Sequence, residues 1–517
     1  GPVPSRMPTM QKSLLPAGGP HRLPLSILGV PFDPVTTVEA IQIMERMIAS
    51  RRAHYVVTPN VDFVVQAQAD VELRRILFDA DLVLCDGTPL VWASRLLGAA
   101  LPERVAGADV VPQLIQVAAE KGYRLFLLGA APESAQRAVE NLRRDLPVLR
   151  IAGHYSPPFR PLLEMDHAEI VARVREAQPD ILLVSFGCPK QEKWMAMNYR
   201  ALNVPVCMGV GATIDFLAGQ VRRAPAWMQR SGTEWLFRLA QEPRRLFRRY
   251  ARDFGVFGWR MLVQWTALGP ERCSPSQTGL DLHLPIDPHW RRLALPMELD
   301  ATVAGESDGI LQQIMESGTH CLVDGSRVRR VDSPGLGLLV RLAKLLRRSG
   351  KQMVLVAPAR ALRRALKLLR LQDFFLTAPN LPAAIRLLDS CANETAVPVA
   401  LRTALSGNVL VWRGEITAGN SRNVWLATEQ QFSRARKSDW VIDLSRVRHL
   451  DSSGVEIMQR VERLADECGA RVSFVQAAAS VRNTLRRARA ERFLRQRPPP
   501  HRREVRQNVG LILPRHA

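Results

Sequence analysis

The sequence is defined first by what it lacks. Its seven cysteines include no C-x-x-C pair and are scattered through apolar stretches such as those around Cys85, Cys207 and Cys321. They read as reduced core thiols of a cytoplasmic protein rather than a disulfide framework. No stretch reaches the roughly 18 uncharged apolar residues that a membrane-spanning helix needs. The N-terminal segment has no secretory apolar core, and its opening Gly1-Pro2 reads as a protease scar, so the chain is expected to stay inside the cell. There is no G-x-x-x-x-G-K-[ST] phosphate loop. Negative charge is also in deficit, with 49 Asp and Glu against 71 Lys and Arg, a net +22. That excess calls for an anionic partner, which composition alone leaves open between nucleic acid, anionic lipid and a phosphorylated substrate. The 47% hydrophobic and 23% charged content is that of a soluble globular protein, and 517 residues imply two to four domains.

Residues 1–24, rich in Pro and Gly, read as a disordered leader. Residues 25–220 then alternate strand and helix. Strands are predicted over 25–30, 53–57, 81–85, 123–128, 148–152, 180–185 and 204–209. Helices are predicted over 36–51, 61–78, 88–98, 107–121, 132–145, 165–177, 189–200 and 212–217. The alternation predicts an α/β domain with a Rossmann-like, mostly parallel, doubly wound sheet. A basic, aromatic, helical appendage follows over 221–268, then a Pro/Ser/Gly-rich linker over 269–290. Two similar small α/β domains, 291–392 and 393–495, form a tandem duplication, and 496–517 is a basic tail.

Polar residues end the strand-like runs of the first domain, which is where open α/β sheets bind ligands. Asp86 follows Leu82–Cys85 and precedes Gly87, a fixed and partly shielded place for a general base; the alternative is a cap on the next helix. Thr58-Pro59-Asn60 ends the neighbouring strand, again as pocket donors or as a cap. Gly187, Gly209 and Gly211 permit close approach of backbone N–H groups to a phosphate. Lys190, Gln191 and Glu192 open a helix and can offer cation, amide and carboxylate to a sugar or ribose, or are simply solvated first-turn residues. Asp79-Ala80-Asp81 matches the D-x-D pattern of metal-using transferases, but it reads as a helix end followed by a strand start.

Taken in order, these motifs resemble the WecG/TagA/CpsF bacterial glycosyltransferases from about residue 25 to 262. The matching elements are Thr58-Pro59-Asn60, Asp86-Gly87, Arg104-x-x-Gly107-x-Asp109, Gly129, Gly187-x-Pro189-Lys190-Gln191-Glu192, Gly209-x-Gly211, Asp215 with Gly219, Arg223-x-Pro225, Glu234-Trp235, Arg238 and Glu242-Pro243-x-Arg245. The resemblance implies inverting transfer of a sugar from a UDP-sugar to a polyprenyl-diphosphate-linked saccharide, for a surface or exopolysaccharide. It places the enzyme at the inner face of the cell membrane without a metal or other cofactor. It makes Asp86 the base, puts Thr58, Asn60, Arg104, Asp109 and Gln191 in the donor and acceptor pocket, and gives nucleotide contacts to Gly129, Gly187, Lys190, Glu192, Gly209, Gly211 and Asp215.

Between Arg222 and Arg252 stand nine arginines against Glu234 and Glu242, interleaved with Trp227, Trp235, Phe237, Phe247 and Tyr250. Such a segment suits a bilayer interface, with Arg223, Arg238, Arg244, Arg245 and Arg248 on lipid phosphates or on the substrate diphosphate. The same surface could bind nucleic acid, but no nucleic-acid motif accompanies it, and none is expected as partner. The apolar continuation through Trp265 is interrupted by Arg260 and Gln264.

The repeated segments Asp324 to Ser333 and Asp443 to Ser452 resemble the signature of STAS domains, the fold of anti-sigma-factor antagonists. The resemblance implies phosphorylation of Ser452 and, with Pro334 in place of a second serine, of Ser333, by a serine kinase or an anti-sigma-like partner system. A helix-cap role is the alternative for both serines. The expected protein is therefore a membrane-peripheral transferase regulated or localised by two STAS modules, with homo-oligomers allowed. The competing reading is a catalytically silent scaffold working through those modules.

Overall fold

The computed structural model describes residues 23–220, 224–225, 227–228, 234–241, 243–269, 279–282, 288–396, 399–404, 407–434 and 439–495. The chain divides into two compact units, Gly1–Phe159 with Asp166–Ala384, and Arg160–Met165 with Ile385–Ala517.

The first unit opens on a hairpin, β1 (Leu25–Ile27) and β2 (Val30–Phe32), antiparallel to each other. This replaces the single strand predicted over 25–30. Leu28 and Gly29 take positive φ values of 49° and 88° and turn the chain back, and a Cβ at Gly29 would collide with the carbonyl of Leu369. Then follow α1 (Thr37–Ser50), β3 (Tyr55–Val57), α2 (Val61–Ala69), α3 (Val71–Asp79), β4 (Leu82–Val83), α4 (Thr88–Leu96), α5 (Gly107–Lys121), β5 (Arg124–Gly129), α6 (Pro132–Asp145) and β6 (Arg150–Tyr155). After these come α7 (His167–Ala177), β7 (Ile181–Ser185), α8 (Lys190–Leu202), β8 (Val206–Gly209), α9 (Thr213–Leu217), α10 (Glu234–Gln241) and α11 (Pro243–Leu268).

Strands β3 to β8 form one six-stranded sheet in the order β4-β3-β8-β7-β5-β6, with every pairing parallel. Its central strands are near-continuous apolar runs, because helices cover both faces; the edge strand β6 is only half-buried. On one face Met44 and Met47 of α1 and Val110, Val111 and Leu114 of α5 close over Leu125, Leu127, Leu183 and Met208.

The helix predicted over 61–78 is broken in two. Asp70 has extended backbone (φ −103°, ψ 100°), accepts from the Leu73 N–H at 3.1 Å and so caps α3. Its other oxygen pairs with Lys193 Nζ at 2.8 Å, and Glu72 joins the same ammonium at 3.1 Å. A half-buried lysine held between two carboxylates fixes the break.

The same unit contains the first small domain: β9 (Asp281–Leu282), β10 (Trp290–Ala294), β11 (Glu298–Leu299), α12 (Ala301–Gly305), α13 (Asp308–Ser317), β12 (His320–Asp324), β13 (Arg330–Val331), α14 (Ser333–Arg348), β14 (Met353–Val356), α15 (Arg360–Leu368) and β15 (Leu376–Ala378). Its sheet runs β15-β14-β12-β10-β9, parallel except for β9. Residues 281–282, placed in the linker by the sequence, thus form an edge strand.

Helix α16 (Leu381–Ala396) leads from the first unit into the second. The second unit continues with β16 (Val399–Ala404), β17 (Gly407–Ile416), α17 (Ser421–Arg434), β18 (Trp440–Leu450), α18 (Ser452–Glu467), β19 (Val472–Val475), α19 (Ala479–Arg487) and α20 (Arg492–Arg495). Its four strands lie in chain order, β16 antiparallel and the rest parallel, over a core that includes Trp412, Met458 and Phe493.

Candidate active site

The carboxyl ends of β3, β4, β5, β7 and β8 share one edge of the parallel sheet. Thr58 follows β3, is buried, and donates its hydroxyl to the Gly209 carbonyl at the end of β8 over 3.3 Å. Gly107, first in α5, packs beneath them; a Cβ there would stand 3.6 Å from Thr58 Oγ1 and 3.8 Å from Thr213 Oγ1. Asn60 is the N-cap of α2, its Oδ1 accepting from Phe63 N at 3.2 Å. The cap reading therefore holds for that oxygen.

Asp86 stands just beyond β4, partly exposed. Its N–H donates to the Pro59 carbonyl at 3.2 Å, and the preceding Cys85 carbonyl accepts from Val105 N at 2.8 Å. The turn is thereby pinned between the loop after β3 and the segment entering α5. The N-cap position of α4 belongs to Gly87 rather than to Asp86.

Arg104 gathers the charge of the site. Its Nη2 lies 2.7 Å from Asp109 Oδ2 and its Nη1 3.1 Å from Glu234 Oε2 on α10. Burial works against the guanidinium charge, but Asp86, Glu234 and Asp109 together outweigh it and hold Arg104 above the ordinary arginine pKa. Three carboxylates from three segments thus converge on one cation. Glu234 was visible in the sequence only as a motif residue, without a role. Nothing local marks a carboxylate that acts on a residue 130 positions away.

The loops after β7 and β8 are closely packed. The Gly211 N–H donates to Gln191 Oε1 at 3.2 Å, and its carbonyl accepts from Ser185 Oγ at 2.5 Å. That N–H, expected to face a phosphate, is therefore already engaged. Gln191 Nε2 donates to Glu192 Oε1 at 2.7 Å. A Cβ at Gly209 would approach Met195 Cε to 2.9 Å and Gln191 Nε2 to 3.0 Å, so a side chain there would have to displace them. Gly129, at φ 93°, presses against the Ser185 carbonyl and is more tightly confined, whereas Gly187, at φ 77°, faces open space.

Glu192 is fully buried, and burial pushes its carboxyl up to about 7, against donors from Gln191 and Cys188. It is neither a solvated first-turn residue nor placed to meet a ligand directly; it supports Gln191 from behind. Lys190 is partly exposed, its Nζ 4.8 Å from the Phe159 ring centroid and 5.5 Å from that of Phe186. Asp215 lies half-buried in the first turn of α9.

The D-x-D carboxylates are elsewhere, at a helix end and a strand start. Asp81 accepts from Tyr55 N at 3.0 Å, at the amino ends of β3 and β4, and Asp79 pairs with Arg347 at 2.6 Å.

On the appendage, Arg244 and Arg248 are exposed. With Leu236, Leu239, Ala240 and Phe247 they line an open groove of about 810 Å³ between α10 and α11. Phe247, Phe254, Leu262 and Trp265 are exposed along one side of α11. Arg223 lies outside the described residues, as do the side chains of Arg238 and Arg245. Ser333 and Ser452 are each first in a helix and buried; neither hydroxyl stands open to a phosphoryl donor in this conformation.

The model of the "Glycosyl transferase WecG/TagA/CpsF family" matches residues 25–270. A relative from Bacillus spizizenii, named N-acetylglucosaminyldiphosphoundecaprenol N-acetyl-beta-D-mannosaminyltransferase, is 32% identical over 191 residues, 37% of this chain and 72% of that protein. The chain belongs to the WecG/TagA/CpsF family. A Staphylococcus aureus protein of the same name is 27% identical over 226 residues, 43% of this chain and 87% of its own length. Behind the WecG/TagA/CpsF domain, the "Mlab, STAS domain" model matches twice, at 282–378 and 399–496. A solved structure of a putative anti-sigma factor antagonist from Thermotoga maritima is 20% identical, over 21% of this chain and 94% of its own, with a TM-score of 0.19.

Proposed function

We propose that the chain transfers a hexosamine from a UDP-sugar to a polyprenyl-diphosphate-linked sugar at the inner face of the cell membrane, without a metal. The observation that carries this reading is the fixed, partly exposed Asp86 beside Arg104 at the carboxyl edge of the sheet. Asp86 takes the proton of the acceptor hydroxyl as its oxygen forms the new bond to the anomeric carbon; the bond from that carbon to the UDP diphosphate breaks on the opposite face, inverting it. Arg104, held by Asp109 and Glu234, sets a positive charge close enough to Asp86 to interact with it. The departing diphosphate needs cations to offset its charge, a role this reading gives to Arg244 and Arg248 of the appendage.

The relatives, as they are named, act on undecaprenyl-diphosphate-linked N-acetylglucosamine and deliver N-acetylmannosamine. An amphiphilic acceptor of that class suits the groove between α10 and α11, apolar along its floor and basic at Arg244 and Arg248. The exposed apolar side of α11 from Phe247 to Trp265, about 27 Å long at the helical rise per residue, suits a bilayer interface. No described helix is long and apolar enough to cross a membrane. The second STAS domain is the module left for a kinase or anti-sigma-like partner.

The test is UDP release from purified protein with a detergent-solubilised polyprenyl-diphosphate sugar. Asp86→Asn should lower turnover by about 10²–10⁴ while nucleotide still binds in calorimetry. Turnover unaltered by that change would remove Asp86 from the mechanism.

A further inference from the structure

At the far end of α11 from Glu234, one amide joins three segments. Gln264 is fully buried; Leu28 N donates to its Oε1 at 2.9 Å, and its Nε2 donates to the Ser26 carbonyl at 2.8 Å and to Ser333 Oγ at 3.4 Å. Ser333 Oγ in turn donates to the Leu268 carbonyl at 3.1 Å. The last carbonyls of a helix have no partner within it, so the first turn of the STAS helix α14 completes the last turn of α11. The hydroxyl read from sequence as a modification site is the pin of this joint.

The surrounding contact is extensive and specific. A Cβ at Gly337 of α14 would collide with the Pro24 carbonyl, as one at Gly29 would with Leu369. Arg347 pairs with Asp79 at 2.6 Å, and Arg348 donates to the Asp81 carbonyl at 3.0 Å. Arg74 donates to the Arg370 carbonyl at 2.8 Å, and Arg370 donates to that of Gln68. Phe78 of the transferase core is fully buried against Phe374, ring centroids 5.2 Å apart, and belongs with Leu268 to the apolar core of the first STAS domain.

We propose that the first STAS domain is a fixed positioning component of the transferase, with Ser333 and Gln264 as the joint that holds the appendage in register with the catalytic edge. This rests on the catalytic reading above. Among the described residues the appendage is held along its length: Glu234 on Arg104 at one end, Arg252 within 3.5 Å of Asp62 in the middle, Arg260 on Gln68 Oε1 at 3.2 Å beyond it, and the Ser333 joint at the other end. Loosening the last frees the helix that carries the cations and, through Glu234, disturbs the guanidinium beside Asp86.

The experiment uses the full chain with two perturbations, Ser333→Leu and Arg347→Glu, the latter paired with the charge swap Asp79→Arg/Arg347→Glu. Amide exchange across 260–268 and 23–30 reads the joint. UDP release, split into kcat and KM, reads its consequence. Exchange should accelerate in both single variants, with kcat falling about tenfold or more at unchanged KM for the UDP-sugar, and the charge swap should restore both readouts. Unchanged exchange overturns the joint, and faster exchange with unchanged kcat overturns the positioning role. If the wild type turned over no UDP-sugar, the catalytic reading would fall, and the positioning role with it; accelerated exchange restored by the swap would still separate that failure from a missing joint.

Discussion

The two STAS domains build the same corner and then diverge. In each, an aspartate of the central strand accepts the N–H two residues on: Asp324, last in β12, from Ser326 at 3.0 Å, and Asp443, within β18, from Ser445 at 2.8 Å. In each, a second aspartate caps the next helix, Asp332 from Gly335 N at 2.7 Å and Asp451 from Gly454 N at 3.1 Å. The glycine stands against backbone in the first copy, where a Cβ would collide with the Leu299 carbonyl, and against the Leu450 side chain in the second. Beyond the corner the copies differ. The first breaks its strand after Asp324 and resumes at Arg330–Val331 against β11, while the second runs unbroken from Trp440 to Leu450. In the first, Pro334 follows a serine whose hydroxyl is bonded to α11; in the second, Ser453 is buried with its hydroxyl making no hydrogen bond. One copy has been absorbed into the transferase, and the other keeps the motif in a unit of its own.

The hardest test of that contrast is core truncation. Leu339→Ala in α14 and Met458→Ala in α18, both at fully buried positions, should each cost about 2–5 kcal/mol of their own unit's stability. Only the first should depress UDP release, and equal losses of activity would erase the distinction. Smaller effects follow at the caps. Asp332→Ala and Asp451→Ala should each lower stability by about 1 kcal/mol, measured by thermal melting.

Asp332 adds a pH signature to the first copy. Burial, with Asp300 opposite it, raises its carboxyl from 3.8 to about 6. The folded state therefore binds that proton more tightly than the unfolded one. Its contribution to stability is full below pH 3.8, declines as pH rises to about 6 and is flat above. Asp332→Asn should flatten that stretch of the melting profile, and an unchanged profile would assign the slope to another group. The smallest effect is expected at the exposed Arg471–Asp439 pair, where Arg471→Ala should stay within about 0.5 kcal/mol.

Much of the core was legible because apolar periodicity is local. The helix predicted over 132–145 coincides with α6 and that over 107–121 with α5. The break at Asp70 was not legible, because an aspartate within a periodic run looks solvated until Lys193 arrives from a distant helix. Asp86 and Arg104 were candidates through their motifs, and the structure brings their charges together. Gln264 shows the limit most clearly. In sequence it interrupts an apolar stretch, yet it is fully buried and bonded to three residues in two distant segments. Residue type carries no sign of partners 69 and 238 positions away.

Phe78 and Leu268 give the arrangement a practical edge. Both are buried in the apolar cluster completed by the first STAS domain, although the transferase family match stops at residue 270. An expression boundary drawn there would strip the cover from those side chains and leave a sticky, unclosed flank prone to aggregation. For recombinant work the end of the compact unit at Ala384, more than a hundred residues past the end of that match, is the sounder boundary.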